Sequence, residues 1–298
     1  MYFHKGCAKK LFGMQNAPEL PYSFNDLDAL AAQVIKSQTT LTGVQAKLSL
    51  HLDRHESSKR LTVVGLWGDY IFKPQTKTFK NLPENEDLTM HLAEIAKIKV
   101  VLHTLIRLQD GTLGYLTKRI DRASEGGRIP MEDMCQLTER QTEYKYKSSY
   151  EQIAKTIAKY SYAPLLDLTD FYEHVFFSWL VGNNDMHLKN FSLYAPKGKW
   201  FLPPAYDLLN VSMINPNDTE ELALTLNGRK KRMKKSDFVS AMTLSGIVPN
   251  VFDNMLERYR KLLPKFYDMI DMSFLDDEST EAYKQGITSR LERMSVQK

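Results

Sequence analysis

Residues 171–181 read Phe-Tyr-Glu-His-Val-Phe-Phe-Ser-Trp-Leu-Val, and the nine that follow read Gly-Asn-Asn-Asp-Met-His-Leu-Lys-Asn. The first stretch keeps apolar residues at helical spacing. It predicts a helix over 167–180 whose aromatics, together with His174, belong to a core. That helix delivers a polar loop. Asp185 and Asn190 stand five residues apart in it, with Lys189 beside the asparagine. Asp207 follows in Ala-Tyr-Asp-Leu-Leu, after two short strands expected at 191–194 and 200–202 around the turn Pro-Lys-Gly-Lys. Taken singly, Asn, Asp and His after a helix commonly cap and turn. Four such residues at this spacing are less easily explained that way.

Loop, hairpin and then Asp is a layout suited to phosphoryl transfer. That chemistry needs little from a protein except positioning and charge neutralisation. One carboxylate serves the nucleophile, an amide and a second carboxylate hold Mg²⁺, and a cation stands near the transferred group.

The rest of the chain has room for such a centre. Its 298 residues suffice for two packed lobes. No apolar run approaches the ~20 residues of a membrane helix, and the first ten residues lack a secretory core. Cys7 and Cys135 lie far apart, form no metal pattern and fit free thiols in a reducing cytoplasm. A net charge of +4 does not by itself imply nucleic-acid binding. The run Arg-Lys-Lys-Arg-Met-Lys-Lys at 229–235 is the local exception. It reads either as a solvated loop feeding the next helix or as a contact for RNA, DNA or an RNA-bound partner.

In chain order, a helix is expected over 27–35, then a small-residue loop over 36–47 and strands over 48–52, 61–66 and 69–74. The loop has the make-up to lay backbone N–H groups along phosphates. With a single glycine it is not the P-loop pattern, and alone it reads as a turn. Lys73 ends the third strand, where a kinase keeps the lysine that grips the α- and β-phosphates. A helix over 87–96 follows. Glu84 or Glu86 near its start could pair with Lys73 or simply compensate the helix dipole. Strands over 100–108 and 113–120 flank Asp110-Gly111, a hairpin signal. Past the joint at Glu132 to Met134, where a kinase hinge would offer backbone groups to adenine, helices dominate: 148–160, 167–180, 236–244, 250–272 and 279–294. One strand is expected at 221–226. The fold class is therefore α+β, a two-lobed protein-kinase-like fold. Residues 1–134 form a β-rich lobe and 135–298 a mostly helical one.

Six stretches carry a resemblance. Leu-Thr-Gly-Val-Gln-Ala-Lys-Leu-Ser-Leu, Ile-Phe-Lys-Pro, Glu-Asn-Glu, Pro-Met-Glu-Asp-Met-Cys-Gln, Gly-Asn-Asn-Asp-Met-His-Leu-Lys-Asn-Phe and Ala-Tyr-Asp-Leu-Leu resemble, in order, signatures of the HipA-like bacterial toxin kinases. The match spans about 36 to 230. The resemblance implies a cytoplasmic, two-lobed kinase using ATP and Mg²⁺ to phosphorylate Ser/Thr in protein targets, aminoacyl-tRNA synthetases among them, which stalls translation. It implies restraint by a HipB-like helix-turn-helix antitoxin, through which DNA is reached indirectly, and no membrane.

Residue by residue, it implies that Lys73 holds the ATP phosphates and that Glu132 and Met134 contact adenine through backbone. Asp185 would be the catalytic carboxylate, Asn190 and Asp207 the Mg²⁺ ligands, and Lys189 a transition-state cation. His187 would orient the loop. Gly43, Val44 and Gln45 would cover the phosphates. Thr40 and Thr42 are candidate autophosphorylation sites, where added negative charge would repel ATP; the family uses serines there. Full-length HipA proteins carry about a hundred further N-terminal residues as a small subdomain. This chain looks like the shortened HipT-like form, and a HipS-like small partner is expected. Two other readings share the catalytic residues: a pseudokinase acting as a regulatory subunit of a DNA-bound repressor complex, and a small-molecule phosphotransferase.

Overall fold

The computed structural model describes residues 5–14, 18–37, 47–53, 59–64, 68–123 and 126–295. They divide into two compact units, Met1–Asp87 with Val101–Arg122, and Leu88–Val100 with Ala123–Lys298.

The first unit opens with helices α1 (Lys5–Phe12) and α2 (Phe24–Ser37), then strands β1 (Leu48–Asp53), β2 (Arg60–Val64) and β3 (Tyr70–Pro74). Helix α3 (Leu82–Ile95) begins in this unit, and β4 (His103–Arg107) and β5 (Leu113–Lys118) complete it. The five strands form one antiparallel sheet in the order β2-β1-β3-β5-β4. Alternation in the strands drives one face inward: Leu48, Leu50 and Leu52 of β1 and Phe72 of β3 join Ala8, Leu11, Phe12 and Leu27 in a single core. Gly114 stands opposite Pro74, where any Cβ would come within 2.2 Å of the Phe72 ring, so this position stays bare. The β4–β5 hairpin turns at Asp110-Gly111, as expected. Gly111 takes a left-handed φ of 88°, and Asp110 Oδ1 accepts the Thr112 N–H at 2.9 Å.

Helix α3 starts at Leu82, a turn earlier than the sequence suggested. Pro83 sits in its first turn, where a missing N–H costs nothing, and Glu84 faces the positive end of the dipole.

The second unit holds β6 (Met131–Asp133), α4 (Met134–Leu137), α5 (Tyr150–Tyr160), α6 (Pro164–Val181), β7 (Ser192–Tyr194), α7 (Val211–Ile214), α8 (Lys235–Leu244), α9 (Asn250–Asp271) and α10 (Asp277–Arg293). Helix α6 is its centre. Phe171, Tyr172, Val175, Phe176, Phe177, Trp179, Leu180 and Val181 are all buried, and Phe176 packs within 5.1–5.8 Å of the rings of Trp179, Phe238, Phe252 and Tyr259. Three of these pairs are edge-to-face and the one with Trp179 is stacked, arrangements that add to the burial itself.

Two expected strands do not form as ladders. Residues 221–226 make only single bridges, Thr225 to Ser149 and Leu226 to Arg229. Leu222, Leu224 and Leu226 are nonetheless fully buried. Alternation here reports a buried face without a neighbouring strand. Likewise residues 200–202 contribute one bridge, Phe201 to Tyr194. The basic run is largely tied into its own unit. Lys230 pairs with Glu220 at 3.1 Å and Lys235 with Asp253 at 2.5 Å, Lys231 bonds Thr219, and Met233 is buried. These contacts account for most of the run within the unit. Cys7 and Cys135 are both buried. No helix among the described residues is long and apolar enough to cross a membrane.

His174 lies inside this core with its ring edge-on to Phe191 at 5.2 Å, and burial lowers its pKa to about 4. In the unfolded chain an imidazole titrates near 6.5. Below that pH the unfolded state takes up a proton that the folded state refuses, so stability is full above about 6.5 and falls towards pH 4. His187 shifts the same way, burial being the first cause. Urea denaturation should show His174→Phe losing less stability than wild type between pH 7 and pH 5, by about 2 kcal/mol. Parallel losses in the two proteins would refute the assignment.

Candidate active site

In the first unit, Lys73 projects from β3 with its side chain buried. Its Nζ bonds Glu86 Oε1 of α3 at 2.5 Å and lies 5.5 Å from the centroid of the Tyr115 ring, its cross-strand neighbour. Of the two acids the sequence offered, Glu86 is the partner. Glu84 is partly buried in the same helix, and that burial raises its pKa. A buried pair of this quality carries a large desolvation cost, so it does not simply add stability. It fixes an ammonium at a defined point on a strand. Replacing Lys73 by Met strips Glu86 of that counter-charge, and should destabilise the protein by about 3 kcal/mol in urea titrations. Lys73→Met with Glu86→Leu should recover much of the loss. A harmless single substitution would show that the pair is not formed.

In the second unit, α6 ends at Gly182, which adopts φ 79° and ψ 25° and donates its N–H to Ser178 and Trp179 carbonyls. This left-handed stop favours glycine. It is also a matter of space: a Cβ would meet Ser212 Oγ at 2.2 Å and Asn210 Oδ1 at 2.8 Å. The chain then turns into the loop. Asn184 is anchored by Nδ2 to Asp218 Oδ2 at 3.1 Å and to the Glu220 carbonyl at 2.8 Å. The Asp185 carbonyl accepts the His187 N–H at 2.9 Å and Asn190 Nδ2 at 2.9 Å. Asp185 and Asn190 are thereby locked across one turn. The Asn190 amide nitrogen is occupied, which leaves the oxygen end of that amide as its ligand group. Tyr150, fully buried, donates its hydroxyl to the Met186 carbonyl at 3.0 Å and supports the turn from below.

Lys189 has a partner the sequence did not announce. Its Nζ bonds Asp133 Oδ2 at 2.6 Å, while Asp133 Oδ1 caps α4 by accepting the Gln136 N–H at 3.0 Å. Asp133 belongs to β6, which pairs antiparallel with β7, Glu132 facing Leu193. The expected hinge residues and the strand leaving the loop are thus rungs of one ladder. Asp207 takes a left-handed φ of 62°. Such a conformation costs a non-glycine residue about 1–2 kcal/mol and often marks functional positions.

The structure corrects one expectation. Met134 is fully buried, its N–H donates to the Phe191 carbonyl at 2.9 Å, and its own carbonyl accepts from Thr138 N and Oγ1. Neither backbone group of Met134 is left for adenine. Glu132 is exposed. Gly43, Val44, Gln45, Thr40 and Thr42 lie outside the described residues.

One further residue is at the centre. Tyr146 donates its hydroxyl to Asp185 Oδ1 at 2.6 Å. Burial, that bond and the Asp185 charge together push the phenol well above its usual pKa. Nothing in the sequence reading singled it out. The only signal is the repeated Tyr-Lys in Tyr-Lys-Tyr-Lys, 144–147, which reads as surface.

The comparisons fit this geometry. The model of the HipA-like C-terminal domain matches residues 39–266. The chain belongs to this family. Among curated relatives, the Haemophilus influenzae (strain ATCC 51907 / DSM 11121 / KW20 / Rd) protein named "Putative kinase" is 29% identical over 65% of this chain and 59% of its own length. The Sinorhizobium fredii (strain NBRC 101917 / NGR234) "Putative kinase Y4dM" is 30% identical over 66% of this chain and 51% of its own. The chain therefore spans about half to three-fifths of the length of these two relatives. Among solved structures, a chain of the Shewanella oneidensis MR-1 toxin–antitoxin complex of HipA, HipB and operator DNA matches with TM-score 0.74 and 21% identity, over 92% of this chain and 71% of that one. The Helicobacter pylori proinflammatory kinase CtkA matches with TM-score 0.53 and 14% identity, over 76% and 87%. The fold is kinase-like.

Gly182→Ala should be among the most damaging small substitutions. The left-handed φ and the 2.2 Å contact together predict a loss of about 2 kcal/mol or more. A thermal midpoint unchanged in the variant would contradict this.

Proposed function

We propose that the chain is an ATP-dependent protein kinase that phosphorylates serine or threonine, and the toxin of a toxin–antitoxin pair. One observation carries the reading: Asn190 Nδ2 bonds the Asp185 backbone carbonyl and so fixes a carboxylate side chain and an amide side chain across one turn, with Asp207 nearby in sequence in a strained conformation. Family membership, the names of the curated relatives and the kinase-like fold support it.

The roles follow from the side chains. The acceptor hydroxyl donates a hydrogen bond to Asp185. As its oxygen attacks the γ-phosphorus, the bond from that phosphorus to the β-bridging oxygen breaks, ADP leaves and the proton passes to the Asp185 carboxylate. Asn190 and Asp207 would hold Mg²⁺, and their oxygen donors suit that hard cation. When bound, Mg²⁺ neutralises phosphate charge. Lys73 grips the α- and β-phosphates, and its pairing with Glu86 resembles the Lys–Glu pair an active kinase requires. Lys189 adds positive charge at the transferred group. Adenine is met by backbone at Glu132, and Gly43, Val44 and Gln45 cover the phosphates. Thr40 and Thr42 are sites of autophosphorylation.

The partner of the pair is a HipB-like DNA-binding antitoxin, supported by the assembly in which the Shewanella relative was solved. A HipS-like small protein and an aminoacyl-tRNA synthetase substrate rest on the family resemblance.

Intact mass after incubation with Mg-ATP tests the reading. Wild type should gain phosphate-sized steps and Asp185→Asn should gain none, with peptide maps placing phosphate on Thr40 or Thr42. Failure of wild type to bind ATP would sink the kinase reading. Phosphate found only elsewhere would sink the two threonines alone.

A further inference from the structure

Tyr146 takes no part in the reaction just described, yet it holds the carboxylate on which that reaction turns. It reaches Asp185 from the segment between α4 and α5, and that segment is tethered. Leu188 of the catalytic loop donates its N–H to the Lys145 carbonyl at 3.1 Å, the Lys147 N–H bonds the Tyr144 carbonyl at 2.9 Å, and the Arg140 guanidinium bonds the Lys147 carbonyl. The Tyr146 ring stands edge-on to His187, centroids 5.0 Å apart at 76°, with the Lys145 ammonium 5.0 Å from its centroid. It is nevertheless 43% exposed. The hydroxyl is therefore held in place by its surroundings while the residue stays open to solvent.

A catalytic carboxylate must accept a hydrogen bond from its acceptor hydroxyl at about 2.6–3.2 Å. Tyr146 makes that bond at 2.6 Å to Oδ1.

We propose that Tyr146 occupies the acceptor-hydroxyl subsite, so that a serine or threonine hydroxyl, or water, must displace its phenol from Asp185 before phosphoryl transfer. The inference rests on the kinase reading. Tyr146 is a specificity-determining residue: a protein acceptor bound by its flanking residues can displace the phenol, whereas lone water competes poorly. ATP is thereby spared from hydrolysis. Dispensing with Tyr146 should free Asp185 for water.

The test is steady-state phosphate release from Mg-ATP by the full chain with no protein acceptor. Wild type, Tyr146→Phe and Tyr146→Ala are compared, each alone and with Asp185→Asn. Tyr146→Phe keeps the ring against His187 and Lys145, and circular dichroism with a thermal midpoint checks its fold. The hydroxyl bond to a charged acceptor predicts a rise of about tenfold in the Phe variant. The Ala variant should rise at least as much, and Asp185→Asn should abolish the gain. Release that stays level or falls in Tyr146→Phe, while wild type turns over ATP, overturns the proposal and leaves the kinase reading standing. Absence of ATP binding in every form overturns both. ATP binding without turnover in any form, Phe and Ala included, overturns the displacement alone. Phosphate mapped to Tyr146 itself overturns it by making the phenol the acceptor.

Discussion

A helix buried on every side can offer function only at its end. The last two turns of helix α6, residues 174–181, are such an element, and the second unit is assembled around them. The aromatic faces of α6 are filled by α8, α9 and Phe191 just before β7, so its axis and its last residue are fixed by packing. The left-handed stop at Gly182 converts that fixed end into a fixed departure direction. The loop proposed to carry catalysis hangs from it: Asn184 is anchored to 218–220, Asp185 is locked to Asn190, and Ser212 lies close against the glycine. The loop takes its direction from the hydrophobic core and its internal shape from its own hydrogen bonds.

What the sequence disclosed follows the same division. Periodicity exposed α6, α8, α9 and α10, because a helix that buries a face writes it every three or four residues. The Asp110-Gly111 hairpin and Lys73 at a strand end were also legible, since each depends on neighbours in sequence. Three things were not. Residues 221–226 alternate like a strand but have no strand beside them, and alternation encodes burial rather than pairing. The choice between Glu84 and Glu86 required the rotation of α3 relative to β3. Tyr146 and Asp133 required contacts across 39 and 56 residues. The hinge expectation for Met134 failed because a four-residue helix begins there and draws its carbonyl into a capping turn.

The Lys189–Asp133 pair shows how the loop and β6 are joined. Asp133 serves two neighbours with two oxygens, one for a helix cap and one for an ammonium. The ammonium is about a third exposed, so salt screens this pair in a way it does not screen Lys73 and Glu86. The two lysines assigned to phosphate are thus held by different physics: one by burial, the other by a partly solvated tether.

The β6–β7 ladder has a consequence that concerns counting. Its three rungs bind residues 131–133 to 192–194, and Leu193 is buried between two neighbours that face the other way. Adding one residue between Asn190 and Leu193 would turn Leu193 to the face that Ser192 and Tyr194 now occupy and slip the ladder by a rung. At the other end, Gly182 fixes where the loop begins. The nine residues between these points therefore form a segment whose length, and not only its composition, is set by the fold. Insertions belong instead at the turn of Lys197 and Gly198, whose backbones already take left-handed φ and whose tip packs against nothing buried.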